Sequence, residues 1–355
     1  MNRHSAASPT TYDEAIKRVW RPLDPAGSFH EVVRAGTLAA NSHNTQPWRF
    51  ALSGRSIAIA PDYARRCPAV DPDDHHLFAS IGCAVENMVQ AAPHIGFAAD
   101  VRLDNPERAT LDLVPMQART SAISAAIASR QCTRAEYDGR ILDAEEVKSL
   151  ATAGSLDGVA CEIVTDRNRI EAILEYVLQG TTAQLRDKTF MQELVRWVRF
   201  NDRETLAHLD GLATRCTGRP SLPEWIGRRL MPLDMTERRE NDRYAKQVRS
   251  SAGIAIFAAS SHDRSGWIAA GRAYQRFALQ ATVLGVRNAL INQPVEVSTL
   301  RSQFASYLGL GTRRPDLVVR FGRGPLMPQS LRRPVEAVVE TERAAARNPA
   351  DSSED

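Results

Sequence analysis

Two short segments of this sequence carry the side chains best suited to hold a small molecule. The first is Ala39-Ala40-Asn41-Ser42-His43-Asn44-Thr45-Gln46-Pro47-Trp48. It is a run of short amides and hydroxyls that each give or take hydrogen bonds, placed after a helical pattern and closed by a Pro-Trp that leads into a strand. Such a turn suits the carbonyls and ring nitrogens of a planar heterocycle. The second is Arg130-Gln131-Cys132-Thr133-Arg134-Ala135-Glu136-Tyr137. Its two arginines, four apart in a loop, offer fork-shaped donors to a dianionic phosphate, each charge-assisted bond contributing roughly 1.5–3 kcal/mol.

The stretch S-H-N-T-Q-P-W-R-F, Ser42 to Phe50, resembles the S-x-N-x-Q-P-W signature of the nitroreductase superfamily. The resemblance implies an FMN whose isoalloxazine meets Asn41, Ser42 and Asn44. Ala40 and Asn41 stand where that family often has Pro and Ser. It also assigns Arg130, Gln131, Cys132 and Arg134 to the FMN phosphate, as an R-x-[ST]-x-[RK] segment in which Cys132 replaces the hydroxyl residue and one phosphate bond is lost or weakened. Leu331-Arg332-Arg333-Pro334-Val335-Glu336 is similar to the family's closing R-x-P-x-E segment, which brings Arg332 and Arg333 to the same phosphate. Asn292 and Gln293 occupy the place beside the flavin N5 edge, where many relatives have an acidic residue and a glycine. Lys246 is a candidate for the pyrimidine edge. In this scheme the chemistry belongs to the flavin, and no side chain acts as an acid or base.

These pieces are complementary along the chain. The QPW turn occurs only early, and the R-x-x-x-R loop and R-R-P closure only later, so two halves together make one site. The arrangement resembles the duplicated, single-chain branch typified by mycobacterial Acg, from about Val33 to Val339. It implies one FMN per chain between a first half at 1–120 and a second half at 121–340. The protein is then a monomer with an internal pseudo-dimer, for which further association is possible but not required.

The elements that must position these residues are legible as periodic patterns. Phe78, Ile81, Val85, Met88, Val89 and Ala92 mark one amphipathic helix, and Ala270, Ala273, Phe277, Ala281 and Leu284 a second. Each ends on a glycine, Gly96 or Gly285, suited to a left-handed stop. Strand-like runs lie at Ser56–Ala60, Gly253–Ala259, Leu290–Asn292 and Leu317–Gly322. Helices and short strands without regular alternation predict an α+β fold. The Arg- and Pro-rich stretch 192–242 reads as an insertion of loops and short helices, either a lid or a surface excursion. The charged, Ser/Pro/Ala-rich stretch 341–355 reads as a loose tail.

Composition narrows the function classes. Lys+Arg of 45 against Asp+Glu of 42 are dispersed along 355 residues, without the basic block of a nucleic-acid arm. Five scattered cysteines (Cys67, Cys83, Cys132, Cys161, Cys216) lack a C-x-x-C pair, which argues against a zinc site or a disulfide framework. The first residues lack a leader-like apolar run, and no stretch approaches the roughly eighteen apolar residues of a spanning helix, so a cytoplasmic protein without membrane or nucleic-acid partners is expected. His43 reads as a turn residue. His75 and His76, after Asp73 and Asp74, read as a solvated helix start, and no metal is expected.

The leading functional expectation, taken from the resemblance, is an FMN-dependent oxidoreductase. NADH or NADPH would deliver hydride to FMN N5, and an electron-poor small molecule, a nitroaromatic or quinone, would accept the electrons. A second reading is an FMN storage or sequestration protein whose insertion covers the flavin. A third, a flavin-free structural protein, requires every motif to be coincidental.

Overall fold

The computed structural model describes residues 11–340 except Pro106, so the stretch read as a tail at 341–355 lies outside the described residues. The strands are β1 (Trp48–Ser53), β2 (Ser56–Pro61), β3 (Phe97–Asn105), β4 (Arg108–Pro115), β5 (Val159–Val164), β6 (Val198–Arg199), β7 (Leu212–Ala213), β8 (Gly253–Ala259), β9 (Arg287–Leu290) and β10 (Leu317–Gly322). They form two four-stranded sheets in the orders β1-β2-β4-β3 and β5-β8-β10-β9, plus the short pair β6-β7. Both large sheets are antiparallel throughout. Taken in chain order, their strands follow the same spatial sequence, and each sheet has one long helix between its second and third strands. The architecture is α+β.

Those two helices, His75–Ala91 and Arg264–Val283, are the centre of the molecule and pack on one another. Their apolar stripes pass into one shared core with Trp48, Phe50, Phe257 and Phe321. The Asp263 side chain caps the second helix by accepting from Gly266 N. The first runs through a 3-10 turn, Ala92–Ile95, to Gly96 at φ +85°, and the second stops before Gly285 at φ +68°, conformations that cost glycine little.

Strands β8 and β10 are buried along their whole lengths, β8 as an unbroken apolar run and β10 with the single charge of Arg320. In β2 and β4, by contrast, Ile57, Ile59, Ala109, Leu111 and Leu113 alternate with less buried positions, the period of a sheet with one face on the core. The expected strand at Leu290–Asn292 lies earlier, at Arg287–Leu290. Beyond it Asn292 leaves the ladder: its Oδ1 accepts from Val318 N, and Pro294 opens the short helix Gln293–Glu296.

Two segments reach across between the sheets. Phe50 N donates to Val338 O and Glu340 N to Phe50 O, adding the end of the described chain to the edge of β1. Thr133 N donates to Asn288 O, which lays the arginine loop along β9. The stretch expected as an insertion holds short helices and the β6-β7 pair between the helices Lys188–Trp197 and Glu237–Arg249. No described helix is long and apolar enough to cross a membrane.

Candidate functional site

A cavity of about 540 Å³ opens between the two sheets and the insertion, within the range of about 300–1,000 Å³ typical of small-molecule pockets. Asn41, Ser42, His43 and Asn44 form one side of it. Arg130, Gln131, Cys132 and Arg134 form another, and Asn292, Gln293 and Arg332 also line it. Residues as far apart in sequence as Asn41 and Arg332 thus share one chamber.

The QPW turn holds its shape with unusual backbone. His43, Asn44 and Gln46 all have φ near +50°, a region that non-glycine residues enter rarely and mainly as Asn, Asp or His. Local bonds hold this conformation: Asn41 Oδ1 accepts from Gln46 N at 2.8 Å, and Asn41 Nδ2 donates to Ala39 O. Asn44 donates to Gly211 O and Leu331 O and accepts from Arg332 Nη1 at 2.7 Å. Gln46 donates to Leu209 O and accepts from Arg333 N. The amides of Asn41 and Asn44 are therefore occupied in building the turn and tying it to the insertion and the closing segment. Ser42 presents a hydroxyl whose described partner is His43 Nδ1, at 3.2 Å. Burial, and then the charge of Arg134, lower the His43 pKa to about 4, so this ring is neutral near pH 7.

Arg130 is the site's most informative side chain. It is 2% exposed, and Nη2 donates to Leu38 O at 2.9 Å, while Nε and Nη1 find no partner among the described residues. Arg134 makes no ion pair with a described residue, and Gln131 Oε1 accepts from Met327 N and Thr133 Oγ1. Arg332 is buried over the Trp20 ring and bonded to Thr37 O, Ala39 O, Asn44 and Ser330, with no carboxylate partner among the described residues. Burial first, then the charge of Arg130, disfavours its cation.

Two expected residues do not line the cavity. Arg333 turns back to Gln46 O and Trp48 O, with Asp62 at 3.8 Å. Lys246 is exposed in the last turn of its helix, because that turn directs its neighbour Gln247 inward, where Nε2 donates to Arg134 O. Asn292 does line the cavity, but its Oδ1 is held by Val318 N and its Nδ2 lies 3.2 Å from His76 Nε2.

With this geometry described, the chain can be compared with known proteins. It is 27% identical over 332 residues to a Mycobacterium tuberculosis H37Rv protein named "Putative NAD(P)H nitroreductase Rv3131", covering 89% of this chain and 92% of that one. The chain is thus similar along most of its length to a protein named as an NAD(P)H nitroreductase. A second protein of the same organism, "Putative NAD(P)H nitroreductase acg", is 23% identical over 320 residues, 86% of this chain and 93% of its own. No protein-family profile matches. A Bacteroides fragilis nitroreductase crystallised with FMN aligns over 60% of this chain and 96% of its own, at 15% identity and a TM-score of 0.38.

The chain has features at the cavity that its motifs did not disclose. Arg320, on β10 and 0% exposed, lies over the Tyr137 ring and donates to Thr133 O, Ala135 O and Gln247 O, so it shapes the arginine loop from behind. One sequence signal existed: a lone charge inside the apolar run LVVRFG. The insertion supplies a wall of Leu194, Val198, Phe200, Leu212 and Met231. It is clamped to the first sheet's side by Asp210, a buried carboxylate paired with both Arg65 and Arg199. The helix start at His75 and His76 is buried, contrary to the expected solvated one, because Asp71, His75, His76 and Asp316 come together there. Potential ligand atoms of Asp71, His75 and His76 lie within 4.8 Å of one another. Yet Asn292 Nδ2 donates to His76 Nε2, which leaves the proton on Nδ1, facing Asp71 at 3.5 Å. Burial opposes charge on His76, but Asp71 outweighs it and raises the pKa.

Proposed function

We propose that this chain is an FMN-dependent NAD(P)H oxidoreductase whose flavin lies in the cavity between the two sheets. The observation that carries the reading is Arg130, a buried cation lining the cavity, two of whose nitrogens have no partner among the described residues. A buried charge without a counter-ion is costly, and a phosphate dianion supplies the missing acceptors. Arg134, Gln131 and Cys132 share that wall, so the residues present fit the phosphate end of FMN. When bound, FMN would supply the redox chemistry, taking hydride from NADH or NADPH and passing electrons to a nitroaromatic or quinone. The chain's own part is to bind and orient: Arg130 and Arg134 neutralise the phosphate, Ser42 and the strained turn face the ring system, and the insertion's apolar wall excludes water.

The same reading treats the two sheets as a diverged duplication with one flavin per chain. Their common strand order and equivalent central helices support it. The boundary near residue 120 is then one of descent, since Val338–Glu340 returns to β1. The test is the visible spectrum and flavin-to-chain ratio of the purified protein, followed by anaerobic addition of NADH or NADPH. One flavin per chain that bleaches rapidly supports the oxidoreductase. A ratio near two, or a colourless protein that ignores added FMN, overturns it.

One observation favours FMN sequestration as a second reading: the roof over the cavity is fastened to the body through the Asp210–Arg65 ion pair, with Arg199 of the roof sharing the carboxylate. A yellow band that NAD(P)H leaves intact and dithionite removes would select it.

A further inference from the structure

The cavity has a second wall whose chemistry is opposite to that of the arginine loop. The short helix Gln293–Glu296 places two acceptors three residues apart on the chamber lining. Gln293 is 6% exposed and its Oε1 has no hydrogen-bond partner among the described residues. Glu296 accepts from Gln184 Nε2 at 2.6 Å and makes no ion pair among the described residues. A buried carbonyl and a carboxylate lacking a cation call for a donor, just as the two unpartnered nitrogens of Arg130 call for an anion.

The position of this wall is built into the fold. Gly180 packs so tightly on it that a Cβ there would lie 2.7 Å from Gln293 Cβ and 2.9 Å from Gln293 O. The helix that carries Gly180 also brings Thr181, Gln184 and Leu185 to the lining. Arg301, the nearest arginine on the following helix, donates to Val295 O and faces Asp73 at 3.5 Å, so its bonds go away from the cavity acceptors. Phe190 and Leu194 continue the lining with apolar surface.

We propose that Gln293 and Glu296 form a subsite for a ligand carrying a cationic N–H donor group, an amine or amidine, on an apolar body. The proposal rests on the cavity being the ligand chamber described above, and it assigns the second occupant's chemistry: a cation at this wall, apart from the anion at the arginine loop. The charged and titratable groups acting on Glu296 are His76, Asp71, Arg301 and Cys67. Burial, the largest influence, raises its pKa, so binding of a permanently charged amidinium strengthens as pH rises and Glu296 ionises.

The test is calorimetric titration of the full chain, carrying whatever flavin it holds, with benzamidine, benzamide and benzoate. These share one planar apolar body and differ in charge. Benzamidine should bind at least about tenfold more tightly than benzoate, with affinity rising with pH, and Glu296→Gln should cost benzamidine about tenfold or more while sparing benzamide. Equal affinity for benzoate and benzamidine in the unaltered protein overturns the proposal. So does a Glu296→Gln chain that loses flavin but keeps benzamidine affinity, which would give this wall to the cofactor instead. The visible spectrum of the same samples separates the two claims. A colourless chain that binds benzamidine defeats the flavin reading alone, and a flavin-loaded chain that ignores benzamidine defeats this one alone.

Discussion

Gly82 and Gly271 meet reciprocally where the two central helices cross. A Cβ built on Gly82 would lie 2.0 Å from Ile268 O, and one built on Gly271 would lie 1.9 Å from Ala79 O. Ile268 and Ala79 each precede the opposite glycine by three positions, so the crossing has approximate two-fold character at the level of single atoms. Because the obstructing atoms are backbone, the helices must separate to admit a methyl group. Gly82→Ala and Gly271→Ala should each destabilise the protein by about 1–3 kcal/mol or more, to similar extents. Denaturant unfolding checks this, and a variant as stable as the parent would show that the crossing yields more easily than its geometry indicates.

Arg130→Gln should act in opposite directions on the two forms of the protein. Without flavin, removing a buried cation with unpartnered nitrogens should raise the melting temperature. With FMN, losing a charge-assisted bond worth roughly 1.5–3 kcal/mol should weaken binding about 10- to 150-fold. Melts with and without added FMN read both effects. A variant that binds FMN as tightly as the parent would remove Arg130 from the phosphate site.

Asp210→Asn leaves the buried Arg199 and the half-buried Arg65 without their shared carboxylate. Breaking a buried pair in this way costs about 3–5 kcal/mol. Here the loss should fall first on the insertion, seen as faster proteolysis between Trp197 and Met235 than elsewhere. Under the sequestration reading the same change should speed flavin bleaching by NAD(P)H; under the oxidoreductase reading it should leave bleaching unchanged or slower.

Glu31 links stability to acid pH. Burial works to raise its pKa, but the Arg34 and Arg21 guanidinium groups and Asp24 N outweigh it and bring the pKa down from 4.5 to about 2. A carboxylate depressed in the folded state contributes stability above its unfolded pKa and loses it as pH falls through the folded one. The contribution should therefore be complete above pH 4.5 and vanish progressively towards pH 2. The melting temperature of Glu31→Gln should fall below the parent's at pH 6 and converge on it near pH 2; a constant difference would assign Glu31 a role independent of charge.

Much of the frame was legible because it depends on local spacing. The helical stripes around Phe78–Ala92 and Ala270–Leu284, their glycine stops, and the strands at Gly253–Ala259 and Leu317–Gly322 follow from periodicity and backbone preference within a few turns of chain. The turn at Asn41–Trp48 and the loop at Arg130–Arg134 were legible as donor and acceptor inventories. The strand at Arg287–Leu290 was displaced in the reading because Asn292 bonds to Val318, a partner that no local pattern displays.

By itself, then, the sequence determined which groups are available for binding and which segments are helix, strand or turn, since those properties belong to residues and their near neighbours. Only the tertiary structure decided how the groups are used. It spent the amides of Asn44 and Asn292 on Gly211, Leu331, Val318 and His76, turned Arg333 and Lys246 away from the cavity, and set Arg320 behind the arginine loop. It also left Arg130 and Gln293 with unpartnered atoms at the cavity wall. A hydrogen-bonding group is free for a ligand only if no partner distant in sequence takes it first, and that competition is settled by which surfaces folding brings together.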